Sequence, residues 1–240
     1  MKSEKTTWHK EYDNWLNSPA LTEDEWNELY AIRENEDEIK GRFRGPLEFG
    51  TAGLRGIMGA GTNRMNIHVV RWATQAFAEL IADEGPDACR RGIVIACDSR
   101  NNSQRFAEEA ACVCAANGIH VRLFESLRPT PELSFAVREY HAAAGINVTA
   151  SHNPREYNGY KVYWSDGAQL PPQHAAEVAR RMAEIDIFKG VSAVKLQDAV
   201  ADGRIEYIGA ETDELFLKNV LGQAIAPKYV AEVADRLKIV

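Results

Sequence analysis

No long apolar run occurs anywhere in the 240 residues. The longest unbroken stretch, Ala110 to Ala116, falls far short of the ~18 residues needed to cross a bilayer, which argues against a membrane protein. No apolar segment follows the lysines of the opening MKSEKTTWHKEYDNW, so the start does not read as a secretory signal. Basic surplus is also missing. Lys and Arg total 28 against 35 Asp and Glu, a net charge of −7, which argues against non-specific nucleic-acid binding. Cysteine is scarce, and Cys89, Cys97, Cys112 and Cys114 form no CxxC pair. With no histidine at finger spacing, structural zinc is not expected. Three of the four thiols lie in apolar runs and read as buried free cysteines of a cytoplasmic protein. The sequons at Asn101 and Asn147 carry no weight without a leader. Repeats and low-complexity tracts are absent. What remains, 45% apolar and 26% charged, is ordinary for a globular chain and excludes disorder and collagen. The length corresponds to one large domain or one and a half, enough to bury a core.

The first forty-odd residues are polar, Trp-bearing and helical in pattern. Trp8, Tyr12 and Trp15 form one apolar stripe, and Thr22 with Glu25 has capping-box spacing for a second helix. A Gly-rich segment runs from Gly41 to Gly61. Asn66 then caps a helix whose buried face holds Ile67, Val70, Thr74, Phe77 and Ile81. The middle alternates: strand Ile93 to Cys97, helix Ser103 to Asn117, strand Ile119 to Phe124, helix Pro131 to Tyr140, strand Gly145 to Thr149. This is the α/β pattern, a three-layer α/β/α sandwich on a mainly parallel sheet. Gly159 to Trp164 reads as a further, antiparallel strand, and Pro172 to Ile185 as a helix. Phe188 to Gly209 is weakly patterned and is expected to hold a linker. Helices over 212–220 and 227–237 follow, and Leu237 to Val240 looks like a strand just begun.

In doubly wound sheets, ligands sit at the carboxyl ends of the strands. Thr149-Ala150-Ser151-His152-Asn153-Pro154 lies there, with a hydroxyl, an imidazole and an amide on consecutive residues. Pro154 holds Asn153 extended and stiffens the loop. Serine beside histidine suggests nucleophilic chemistry, but adjacent side chains hydrogen-bond poorly, so no triad follows. A polar turn would use the same residues. Asn158-Gly159-Tyr160-Lys161 places Lys161 on the returning strand, where it can act as acid, base or phosphate clamp, or lie along the surface as an ordinary lysine. Phe49-Gly50-Thr51-Ala52-Gly53-Leu54-Arg55-Gly56 offers close backbone approach and an arginine for phosphate, or simply a flexible connection. It matches neither a Walker A loop nor a dinucleotide fingerprint, since no strand precedes it. Asp98-Ser99-Arg100 ends the Ile93 strand as a ligand contact or a strand-end turn.

Together these segments resemble the α-D-phosphohexomutase superfamily, the phosphoglucomutases and phosphomannomutases. TASHNP resembles that family's phosphoserine loop, and NGYK follows at the family's spacing. FGTAGLRG, GTNRMN and the Trp-rich extension look most like the phosphoglucomutase-2 or bacterial phosphoglucomutase branch, which includes phosphopentomutases and a glucose-1,6-bisphosphate synthase. The resemblance implies phosphohexomutase domain I over 46–208, a helical extension packed on it over 1–45, and a linker helix with the incomplete start of a second domain over 209–240. It implies Ser151 as the phosphorylated nucleophile, with His152 and Asn153 shaping the loop. Lys161 would be acid, base or clamp. Arg55, with Thr51 and Gly53, would contact the phosphoryl group or close the site, and Arg100 would support it. Magnesium would bind through the phosphate on Ser151, and a glucose 1,6-bisphosphate-type sugar bisphosphate would be intermediate and activator.

The departure from the family is an absence. The Asp-Gly-Asp-x-Asp metal loop, the sugar-recognition loop and the terminal phosphate-binding loop that the resemblance implies are not in this sequence. Neither Asp166-Gly167 nor Asp202-Gly203 is followed by a second aspartate. The expectation is therefore a mutase fragment needing the C-terminal domains of the same protein as partners and nearly inactive alone. Two other readings stand beside it: a non-catalytic phosphate-binding or scaffolding fragment, and a serine phosphatase whose two-metal carboxylate cluster is nowhere evident.

Overall fold

The computed structural model describes residues 6–238. Three helices come first, α1 (Thr7–Leu16), α2 (Glu23–Ala31) and α3 (Glu36–Phe43). Next are β1 (Leu54–Ile57), α4 (Ile67–Asp83), α5 (Pro86–Arg91), β2 (Ile93–Cys97), α6 (Ser103–Ala116) and β3 (Val121–Phe124). Then come α7 (Thr130–Glu139), β4 (Ala144–Val148), β5 (Tyr157–Trp164), α8 (Pro172–Glu184) and α9 (Leu196–Ala201). β6 (Ile205–Ile208), α10 (Ala210–Gly222) and α11 (Pro227–Val233) complete the series.

The six strands form one mixed sheet in the order β1-β5-β4-β2-β3-β6. The β4-β2-β3-β6 pairings are parallel, and β5 runs antiparallel to both β4 and β1. Strand alternation divides the core between two faces. Ile93, Ile95 and Cys97 of β2 pack with α4 and α6, while Val94 and Ala96 pack with Leu133, Ala136 and Val137 of α7. Helices on both faces of a mostly parallel sheet make the expected α/β/α sandwich. No helix among the described residues is long and apolar enough to cross a membrane.

The apolar stripe of α1 does what its spacing predicts. Trp15 and Tyr12 pack with Leu29, Ile39 and Phe43 in a separate small core. The α2 capping box forms as read, with Glu25 N–H donating to Thr22 Oγ1. Asn66 caps α4 through Val69 N–H at 2.9 Å. The extension is tied to α4 by Glu25 and His68, 3.3 Å apart, and by Phe188, whose ring meets both Trp15 and His68.

Two expectations are corrected. The Gly-rich segment is no plain connection: it contains β1, whose Arg55 lies opposite Gly159 at the sheet edge. The stretch from Phe188 to Gly209 is no linker: it holds α9 and β6, and Ile205 pairs with Val121. Both strands are four residues long and their partners are distant in sequence, so periodicity hardly registers them. The strand start at 237–240 lies partly outside the described residues. Leu237 follows a short 3-10 turn over Ala234–Arg236, is half exposed, and joins no strand.

Candidate active site

Two adjacent strand ends build the site. β2 leads into Asp98-Ser99-Arg100 and β4 into the loop from Thr149 to Glu156. The register sets Cys97 beside Val148, and Asp98 N–H donates to Val148 O at 3.1 Å. The two turns therefore start level with each other.

Ser151 is exposed at the loop tip with φ +58°, in the left-handed region where a side chain crowds the backbone. Its N–H donates to Thr149 Oγ1 at 2.9 Å. Arg100 fixes the rest of the turn. One guanidinium nitrogen donates to Ser151 O at 2.8 Å and Asn153 O at 2.6 Å. The other donates to Pro154 O at 2.9 Å and Tyr157 O at 3.1 Å. A hydrogen bond to a charged group contributes about 1.5–3 kcal/mol. Several together outweigh the ~1–3 kcal/mol typical of left-handed strain. Arg100 thus holds the serine in a conformation the chain alone would avoid.

Arg100 is itself placed. Asp98 Oδ1 accepts from Arg100 N–H at 3.0 Å and from the Ser103 hydroxyl at 2.8 Å. Buried Asn158 donates to Asn101 O and Ser103 Oγ, locking the start of β5 onto the β2–α6 turn. Gly159 admits β1: a Cβ there would lie 2.6 Å from Thr149 O and 3.0 Å from Leu54 O.

The sequence-predicted residues divide into two groups. Ser151, Asn153 and Arg100 line one open pocket of about 530 Å³, together with Asp98 and Arg155. Arg55 reaches it from β1 by donating to Asn153 Oδ1 at 3.0 Å. Lys161, half-buried on β5, has its pKa lowered, first by burial and then by the charge of Arg55, with Asp98 opposing. Gly53 has a structural duty: at φ +73° a Cβ would sit 1.8 Å from Tyr160 O. Thr51 is exposed on the turn between Gly50 and Gly53, and His152 is exposed on the loop. Neither side chain makes a hydrogen bond among the described residues. Sequence reasoning misses Asp98, Ser103 and Asn158 as positioning groups. Asp98 and Asn158 stand inside the quoted motifs, and their polarity at strand ends is the available signal.

The donor set does not fit a magnesium ion. Among the described residues no three His, Cys, Asp or Glu side chains converge. Asp98, the carboxylate on the pocket wall, already accepts from Ser103 and Arg100. A hard cation taking six oxygens would find chiefly the oxygens on Ser151 here.

The model of the phosphoglucomutase/phosphomannomutase alpha/beta/alpha domain I matches residues 46–188, more than half of the chain. The chain belongs to the phosphoglucomutase/phosphomannomutase family. A phosphoglucomutase of Staphylococcus saprophyticus is 35% identical over 206 residues, covering 86% of this chain and 36% of that protein. The mouse phosphopentomutase is 39% identical over 176 residues, 71% of this chain and 28% of that one. A Thermus thermophilus structure described as a phosphomannomutase has a TM-score of 0.53 at 28% identity, covering 66% of this chain and 35% of its own. A Burkholderia thailandensis family member, TM-score 0.55 at 22% identity, shares the fold. The chain thus spans between a quarter and a little over a third of the length of these mutases.

Proposed function

We propose that this chain is the phosphoserine-bearing part of a cytoplasmic phosphosugar mutase, with Ser151 as the group that carries phosphate. The observation behind the reading is the Ser151 turn, strained and held by Arg100 at the carboxyl end of β4. An exposed hydroxyl on a rigid turn suits repeated in-line phosphoryl transfer, where positioning and charge neutralisation do most of the catalysis.

In this reading a sugar hydroxyl attacks the phosphorus of phospho-Ser151. The new P–O bond forms as the bond to Ser151 Oγ breaks, and the hydroxyl proton passes to a nearby base. The sugar bisphosphate then turns over, and its other phosphate returns to Ser151. Lys161, its pKa lowered by burial, is suited to take or return that proton. Arg55 keeps Asn153 in place and adds positive charge beside the loop. Magnesium, when bound, would offset charge on the transferring phosphate, with most of its ligands supplied by domains beyond this chain. Those domains are the partners this reading requires. The substrate class is hexose or pentose phosphates, as the names of the relatives suggest. Residues 46–208 would be domain I, 1–45 its packed helical extension, and 209–240 the passage to a second domain.

The test is interconversion of glucose 1-phosphate and glucose 6-phosphate, or of the pentose phosphates, by the intact protein with a sugar bisphosphate present. Ser151→Ala should abolish turnover, and the 240-residue chain alone should be nearly inactive. Turnover surviving Ser151→Ala overturns the proposal.

A further inference from the structure

Asn147 of β4 is buried at 1% exposure, and its Oδ1 has no hydrogen-bond partner. Its amide nitrogen is committed, donating to Thr130 Oγ1 at 2.7 Å at the start of α7. The oxygen is left to find a donor other than Thr130. A buried acceptor without a donor is costly, so its persistence calls for a reason.

The sheet register names the neighbours. Across β2, Asn147 meets Ala96, which has no polar side chain. Across β5 it lies directly opposite Lys161. Paired side chains on one face of an antiparallel ladder start about 5 Å apart. Lys161 makes no side-chain hydrogen bond among the described residues, and its ammonium carries three donors. An acceptor without a donor thus stands across the strand from a donor without an acceptor, just below the Ser151 loop.

We propose that Asn147 is a positioning residue for Lys161, its Oδ1 receiving the Lys161 ammonium in a lowered resting position from which the lysine rises toward a phosphate on Ser151. Thr130 sets the amide orientation, and Ala96 leaves the oxygen no competing donor. Arg55 disfavours the charge on Lys161 and Asp98 favours it, so both act on the same ammonium. The inference rests on the reading of Lys161 as a site residue, but its test does not depend on catalysis.

The experiment titrates Lys161 in the 240-residue chain by NMR, with lysines carrying ¹³C-methyl labels and Lys161→Arg giving the assignment. A neutral hydrogen-bond acceptor favours the ammonium. Asn147→Ala should therefore lower the Lys161 pKa by about one unit, and Asn147→Asp should raise it. Thr130→Val tests the alternative that Asn147 only anchors α7. If so, Asn147→Ala and Thr130→Val would both lower the melting temperature and neither would move Lys161. Identical Lys161 titrations in wild type, Asn147→Ala and Asn147→Asp, with melting curves showing folded protein, would overturn the proposal. If the lysine shifts as stated but the intact enzyme turns over without Ser151, the positioning stands and the mutase reading fails.

Discussion

At the scale of single residues, one arginine holds the shape of the Ser151 loop. Arg100 donates to three loop carbonyls and to that of Tyr157 at the start of β5, and its planar fork spans them in a way a point charge cannot. Arg100→Lys keeps the charge and loses that fork. It should lower phosphoryl transfer by the intact protein about a hundredfold, as a misplacement of ~1 Å does, with the sheet still folded. Matched rate and thermal-melt measurements check this, and an unchanged rate would remove Arg100 from the account. Proximity is well legible in the sequence: Ser151, Asn153, Arg55 and Arg100 do meet. Thr51 and His152 stand in the same motifs but reach no partner, because a motif gives proximity along the chain and not the direction of a side chain. Asn147 is invisible for the opposite reason. Its significance lies in a cross-strand neighbour fourteen residues on and in a helix packed above.

At the scale of elements, α10 is the least securely held helix of the sheet's second face. Its single buried residue is Thr212, bonded to the Tyr140 hydroxyl at 2.7 Å, and Asp213 takes two bonds from Arg128. Glu132 on α7 is buried 3.8 Å from Arg128, and Glu125 also approaches that arginine. One guanidinium cannot neutralise three carboxylates. Burial first, and then the Asp213 carboxylate, push Glu132 up from 4.5 to about 7. Asp213 is held below its ordinary value by Arg128. Docked α10 therefore favours a protonated Glu132. The contribution of Glu132 is present in acid and is lost as pH rises from its ordinary range toward its folded value, whereas that of Asp213 is present above its ordinary range and lost as pH falls through its lowered value. Hydrogen exchange of α10 amides, corrected for intrinsic rates and referenced to β2, should follow that curve, and Glu132→Gln should flatten it. A flat wild-type profile would contradict the assignment. Elements are unevenly legible in the sequence. β2, β4 and α4 carry long apolar patterns, whereas β1 and β6 are four-residue strands that exist only because β5 and β3 supply their partners.

At the scale of the whole molecule, the described residues form an α/β/α sandwich and, in the proposed reading, only part of a phosphate-transfer site. The chain spans 36% of the Staphylococcus saprophyticus phosphoglucomutase it matches, and among its described residues no three His, Cys, Asp or Glu side chains converge. Ser151, its Arg100 clamp and Lys161 are nevertheless held on neighbouring strands, since the sheet brings β2, β4 and β5 into register. The central claim, that Ser151 carries the phosphate, can be read directly. Intact protein recovered from its native source is digested and the peptide containing Ser151 mapped for phosphate, before and after exposure to a sugar bisphosphate. The account predicts phosphate on Ser151, increased by the bisphosphate and absent from Ser99 and Ser103. A Ser151 that stays bare in both samples would contradict it and leave a domain that shares the family's fold without its chemistry.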